Sequence, residues 1–231
     1  MEAEPRFVVH YWPISFRGTF LTYLLAYEDV SFDETGREDV LKMMELQFSE
    51  KPVPFTGPPI LFDRKENFYV SQMPAAYMYL VDVLGLKGKS CISDALTLKI
   101  VMDCNDVLME ICRYNGSSMW TRKEWNAFRH HRLVKWLCLF EEGVRRGHIG
   151  ASDTAAADVS SYALWGNMAR CLPELREDIV KNAPTLATVL EKVGRKNSLA
   201  SYISDVEVKL GKLYCSGQIE ESIRYMLKTP R

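Results

Sequence analysis

The sequence has no cysteine before Cys91. The six it carries, at positions 91, 104, 112, 138, 171 and 215, include no C-x-x-C pair and no metal-ligand spacing. They read as reduced, mostly buried thiols. No run of about 18 or more apolar residues occurs, so no membrane-spanning helix is expected. The N-terminus, MEAEPRF, is acidic and lacks the charged-then-apolar order of a secretory signal. A cytosolic protein is the expectation. An excess of charge is missing too: 29 Lys and Arg against 30 Asp and Glu leave a net charge of −1. That balance argues against a nucleic-acid footprint. The densest basic run, RHHR at Arg129–Arg132, sits in a helical pattern and reads as a solvated helix face. There are no internal repeats and no low-complexity tract.

What is present is ordinary globular material. With 231 residues and 47% hydrophobic composition, the chain can bury a sizeable core in one large domain or two small ones. Residues 6–12, RFVVHYW, read as a strand. The following SFRGTFLTYLLAYED has Phe16, Phe20, Leu24 and Tyr27 on one helical face. A short strand (VSFDE) and a polar, helix-capable stretch (37–47) come next, then the proline- and glycine-rich loop SEKPVPFTGPP. ILFD and NFYV are short strands around a charged turn, and QMPAAYMYLVDVLGL is a helix with Pro74 in its first turn, where a missing N–H costs nothing. After GLKGKS the character changes. Helices are expected over about 93–114, 121–146, 154–170, 173–181 and 184–195, with a less regular tail from Lys196. The boundaries drawn are 1–85 for a small α/β domain and 90–231 for an all-helical one.

The double proline that opens the hairpin is odd, because proline cannot donate to a strand ladder. Pro59 with PILFD, a proline four residues before an acidic strand end, is similar to a cis-proline motif. Preceded by β-α-β and followed by SQMPAAYMYLVDVLGL, it makes the chain resemble the soluble glutathione transferases nearly end to end. The resemblance implies a thioredoxin-like N-terminal domain with a helical C-terminal one, and glutathione as co-substrate, without a metal. It also implies a homodimer in which the N-terminal domain of one copy meets the helical domain of the other.

FVVHYWPISFRGTFLTYLLA is similar, without a gap, to the tyrosine-type classes (alpha, mu, pi, sigma). The match puts Tyr11 at the position that activates the thiol and Arg17 on a frequent arginine of those classes. Ser15 is the rival hydroxyl, one residue off the register of the serine-type classes. Without the resemblance, Tyr11 is an aromatic at a strand end packed as core. The chemistry needs a donor at sulfur: a free thiol, with pKa of roughly 8.5, is only a few per cent ionised at neutral pH, and a hydrogen bond to the anion favours ionisation.

Leu96, Ile100, Asp103, Val107 and Ile111 share one helical face. By resemblance Asp103 reaches the γ-glutamyl amine of glutathione in the neighbouring subunit; the other reading is a salt bridge within its own helix. Trp12, Met109 and Arg113 match positions lining the electrophile pocket, and Lys51 and Gln47 are candidates for the glycyl end. Asp158 resembles the aspartate that begins the core helix, but the usual cap position is Ala155, with Thr154 one residue off.

Two departures touch the glutathione site. The helix-start pair is Gln72–Met73 where a hydroxyl normally follows, so Met73 contributes its backbone or packs in the core. Pro58 occupies the position that pairs with the cysteinyl backbone through N–H and C=O, and proline lacks the N–H. Three readings follow: a transferase conjugating glutathione to apolar electrophiles, a non-enzymatic ligand-binding or interaction module of the same fold, and a glutathione-dependent isomerase of the sigma type.

Overall fold

The structure is a computed structural model and describes residues 4–151, 153 and 155–228. The N-terminal region runs β1 (Phe7–His10), α1 (Thr19–Tyr27), β2 (Phe32–Thr35), α2 (Arg37–Glu45), β3 (Ile60–Asp63), β4 (Phe68–Ser71) and α3 (Met73–Val83). Its four strands form one mixed sheet in the order β2-β1-β3-β4. β2 is parallel to β1, while β3 and β4 are antiparallel neighbours, with Val9 beside Glu34 and Leu61. Alternation sends Phe7, Val9 and Leu61 into the main core and buries Val8 and Ile60 on the other face. Both faces are covered, so β1 reads as a nearly continuous apolar run.

Asp63 ends β3 fully buried. Its carboxylate accepts from the Arg6 guanidinium (2.6–3.0 Å), the Tyr79 hydroxyl (2.9 Å) and the Lys65 N–H (3.0 Å). One side chain thus ties the start of β1, the hairpin turn and α3 together. Burial pushes this carboxyl up, but the Arg6 and Tyr79 hydrogen bonds outweigh it and hold it below the usual carboxylate range.

From Cys91 on, the described residues form helices: α4 (Cys91–Ile111), α5 (Arg122–Ala127), α6 (Leu133–Arg145), α7 (Ala155–Ser161), α8 (Asn167–Cys171), α9 (Arg176–Asn182), α10 (Pro184–Gly194), α11 (Asn197–Leu210) and α12 (Gly217–Lys228). π-helical turns at Phe128–Arg132 and Tyr162–Gly166 carry α5 into α6 and α7 into α8. The basic run at 129–132 is more engaged than a solvated face: Arg129 pairs with Asp178, and Arg132 pairs with Glu110 and lies over Trp136. Asp158, in the first turn of α7, accepts the Gly150 N–H at 2.6 Å; Thr154 lies outside the described residues.

The tail is regular, contrary to expectation. Gly211, at φ 56, stops α11, and Ser216 and Gly217, both at positive φ, lead into α12, which Gly217 opens. The Glu220 carboxylate accepts the Tyr214 and Ser216 N–H groups at 3.0 and 2.5 Å, satisfying donors at that helix start. Polar bonds join the two regions inside the core: Tyr77 Oη donates to the Ala156 carbonyl (2.6 Å), and Asn167 Nδ2 donates to the Ser15 carbonyl (2.7 Å). These contacts fix the helical region against the sheet and so fix the cleft between them.

Candidate active site

A cavity of about 770 Å³ lies between the two regions. One wall consists of the residues after β1, the loop before β3 and the first turn of α3. The other is the end of α4, the segment after it, and the start of α12. Of the residues singled out in the sequence, Tyr11, Trp12, Arg17, Pro58, Pro59, Gln72, Met73 and Met109 line it.

Tyr11 sits just past β1 with its ring against the start of α1. Gly18 permits this: a Cβ there would fall 2.3 Å from Tyr11 Cδ1. The Arg17 N–H donates to Tyr11 Oη at 3.0 Å, and among the described residues the phenol proton has no acceptor. Burial holds the Tyr11 phenol well above its ordinary pKa, with Arg17 pulling the other way. The group is therefore a neutral donor, polarised by a backbone N–H and facing the cavity. Ser15 is placed differently. It is fully buried, its Oγ accepts from Arg170 Nη2 at 2.8 Å, and it does not line the cavity.

The Pro58–Pro59 peptide is cis, as the motif suggested. Gln72, at φ 70, precedes α3 with its side chain exposed, and Met73 is 1% exposed, so its side chain packs in the core while its backbone opens the helix. Gln47, Lys51, Asp103 and Arg113 stand outside the lining. Lys51 Nζ donates to the carbonyls of Met44 and Phe55 at 3.1 and 3.2 Å. Asp103 is ion-paired with Lys99 of its own helix. Arg113 Nη2 donates to Glu124 at 2.9 Å, and its guanidinium lies over Trp120.

The sequence reading missed most of the second wall. Arg113, Tyr114, Asn115 and Gly116 all have positive φ (49, 53, 62 and 79), a left-handed turn after α4. It swings the Asn115 N–H back to Cys112 Sγ at 3.3 Å and carries Asn115 and Gly116 into the lining. The turn packs on α12: a Cβ on Gly116 would lie 3.7 Å from the Ile219 side chain. Arg17 crosses to this wall, where its Nη2 lies 2.8 Å from Met109 Sδ and 3.9 Å from Cys112 Sγ. The α12 contribution was legible in principle, since Ile219, Ile223 and Met226 keep helical spacing.

Comparisons with known proteins agree with this architecture. The family model described as "Glutathione S-transferase, C-terminal domain" matches residues 96–226. No curated protein matches the sequence. Among solved structures, the Onchocerca volvulus Pi-class glutathione S-transferase aligns with TM-score 0.73 at 16% identity, covering 92% of this chain and 98% of its own. Prostaglandin synthase D of Nilaparvata lugens aligns with TM-score 0.68 at 18% identity, covering 87% of this chain and 98% of its own. Rat hPGDS complexed with a quinoline gives TM-score 0.69 at 17% identity, covering 87% and 97%. At such identities the likeness is one of fold.

Proposed function

The chain belongs to the glutathione S-transferase family, and from that premise we propose that it conjugates the thiolate of glutathione to apolar electrophiles. The observation that carries the proposal is the Tyr11 hydroxyl. It is neutral, it accepts the Arg17 N–H, and its own proton is left to donate into the cavity beside the Pro58–Pro59 loop. A thiol held there ionises more readily because the anion accepts that hydrogen bond. A shift of about 2 pKa units, or ~2.7 kcal/mol, makes thiolate the main species at neutral pH. The sulfur then forms the new C–S bond with the electrophile as the carbon–leaving-group bond breaks and the leaving group departs with the bonding pair, as halide from an aryl halide, while the thiol proton leaves to solvent. Pro58 through its carbonyl, Gln72, and Met73 through its backbone at the start of α3 hold the peptide. Trp12 and Met109 face the electrophile. Lys51 and Arg113 act at most through the loops they brace.

The homodimer belongs to the same proposal. Phe48, 62% exposed in the N-terminal region, and Ile92, 69% exposed at the start of α4, give each region an apolar spot for the other region of a second copy. In such a pair Asp103 would exchange Lys99 for the neighbour's glutathione amine. Light scattering should report twice the 26.5 kDa chain mass at micromolar concentration; a monomer removes both the dimer and the cross-subunit role of Asp103.

A second reading, a ligand-binding member of the fold without catalysis, is favoured by Pro58, which cannot donate to the cysteinyl backbone, and by Met73, which replaces a hydroxyl. Two measurements separate them: retention on immobilised glutathione and conjugation of a generic aryl halide. Tyr11→Phe should lower turnover roughly tenfold or more, the scale of a hydrogen bond to a charged group, and change glutathione affinity little. Ser15→Ala should stay active in its folded fraction. Full activity in Tyr11→Phe with none in Ser15→Ala would reverse the assignment.

A further inference from the structure

One ring nitrogen of His10 is buried without a partner. His10 ends β1, with Thr35 and Ile60 beside it on the neighbouring strands. Its Nδ1 lies 3.0 Å from Thr35 Oγ1, while its Nε2 is out of contact with solvent and has no hydrogen-bond partner among the described residues. For a neutral ring this is one unmade hydrogen bond. An imidazolium fares worse: both nitrogens become donors, Nδ1–H goes to Thr35, and Nε2–H is left as a buried cationic donor with no acceptor. α1 and α3 fill the main-core face of the sheet, so cover over the His10 face falls to the β2–β3 connection, which is α2 and the loop after it. The Asp39 carboxylate of α2 is close enough to act on the ring, but it is exposed and lies 4.0 Å from Lys42. Arg64, paired with Asp33, opposes a second positive charge. Glu50 and Lys51 of the loop are committed to backbone groups, and Tyr69 stacks on the ring at 6.3 Å. Burial outweighs Asp39 and holds the imidazole below its ordinary pKa.

We propose that His10 is a proton switch under α2: once protonated it releases α2 and loosens the wall on which glutathione is proposed to lie. Little holds α2 down. Of its nine residues it buries Val40 alone, so few apolar contacts oppose opening. Its last turn is tied to the cavity. Met44 lines the cavity together with Thr56, Gly57 and Pro58, and Lys51 Nζ bridges the Met44 and Phe55 carbonyls at 3.1 and 3.2 Å. A displaced α2 therefore carries the Pro58 loop with it. The sign follows from the depressed pKa. The closed form has its full stability above the free histidine value of about 6.5 and loses it as pH falls from there toward the folded value. The link to glutathione rests on the transferase reading; the release of α2 does not.

The test follows α2 in the full chain by hydrogen exchange, read on the amides of residues 40–45 at about pH 7.5 and about pH 5.5 and corrected for intrinsic rates. About one pH unit below the free histidine value, a proton taken up on opening favours the open form about tenfold. Corrected α2 exchange should therefore rise about tenfold at the lower pH while α3 stays protected. An unchanged α2 rate in the natural protein overturns the proposal without any variant. His10→Gln and His10→Phe, which do not titrate, should abolish the rise where circular dichroism confirms the fold; a rise that survives in either also overturns it. S-methylglutathione, which has no thiol to titrate, tests the link to the cavity. A ligand of the closed form, present at about a hundred times its dissociation constant, should slow α2 exchange at the lower pH about a hundredfold. Calorimetric binding without that slowing overturns the proposed link. Absence of binding at both pH values sinks the transferase reading instead, and the pH response of α2 still decides the switch.

Discussion

The two walls of the cavity are held by different kinds of contact. On the sheet side, position comes from the backbone: a four-strand register, a loop closed by two prolines, and a helix that starts at Met73. Its charged anchor, Asp63, is saturated by Arg6, Tyr79 and a turn N–H. On the helical side, position comes from side chains and from a left-handed turn. Arg17 leans on two sulfurs, Cys112 accepts the Asn115 N–H, and Gly116 packs on Ile219. Under the proposed function, the first kind of wall would fix one geometry for glutathione, and the second, which can be rebuilt by changing a few side chains, would take the electrophile.

The largest expected effect breaks the sheet-side wall at its anchor. Asp63→Ala leaves Arg6 without its partner and opens the hairpin turn. Breaking a buried pair costs about 3–5 kcal/mol, and the 29% exposure of Arg6 puts this case near 3. Urea unfolding should register the loss. The same carboxylate gives an acid signature. Its folded pKa is depressed, so its stabilisation is present above the unfolded value of about 4 and is lost as pH falls through the folded one. Asp63→Asn should flatten that part of the stability–pH curve. An unchanged curve would mean that this anchor does not hold the wall.

Much of the sheet side was legible in the sequence, because its signals are local. The short apolar runs in FVVH and ILFD, Pro74 at a helix start, and the prolines before β3 each mark the backbone where they stand. Tyr11 was singled out by the ungapped family resemblance, and it lines the cavity. The helical side was legible only as helices. In RYNG the Asn-Gly pair marks a turn, but nothing in it marks four positive-φ residues in succession, since such a turn is paid for by tertiary contacts: Arg113 on Glu124 and Trp120, and Asn115 on Cys112. Arg113 was assigned to the electrophile pocket by position, yet the turn directs its guanidinium away from the lining. The regular tail was missed because Gly211, Ser216 and Gly217 break it into short pieces.

A smaller effect sharpens the comparison at the Pro58 position. If the sheet-side wall pairs with glutathione through its backbone, restoring one N–H should tighten binding. Pro58→Val should gain a net ~0.5–1.5 kcal/mol, about twofold to tenfold in affinity. Valine also raises the entropy of the unfolded chain, so stability should fall by up to ~1 kcal/mol while affinity rises. Calorimetric titration of glutathione, on variants confirmed folded, separates the two. Equal or weaker affinity would mean that glutathione does not lie along this edge, which favours the ligand-binding reading.

The smallest effect probes the helical-side wall, and its sign is the point. Tyr114 sits at φ 53 in the left-handed turn with its side chain 69% exposed, so truncation removes little packing. A left-handed conformation costs a side-chain-bearing residue about 1–2 kcal/mol, while glycine adopts it freely. Glycine's greater freedom in the unfolded chain gives back roughly 0.5–1 kcal/mol. Tyr114→Gly should therefore stabilise the protein by about 0.5 kcal/mol, the difference of those terms, seen as a higher urea midpoint at unchanged slope. Arg113→Gly, in the same turn, should destabilise instead, because it removes the bond to Glu124 and the stack on Trp120. Opposite signs at adjacent positions would show that the turn is held by its side chains against its backbone preference. Destabilisation at both would mean that the turn is not strained, and that the helical wall is as firmly set by its backbone as the sheet side.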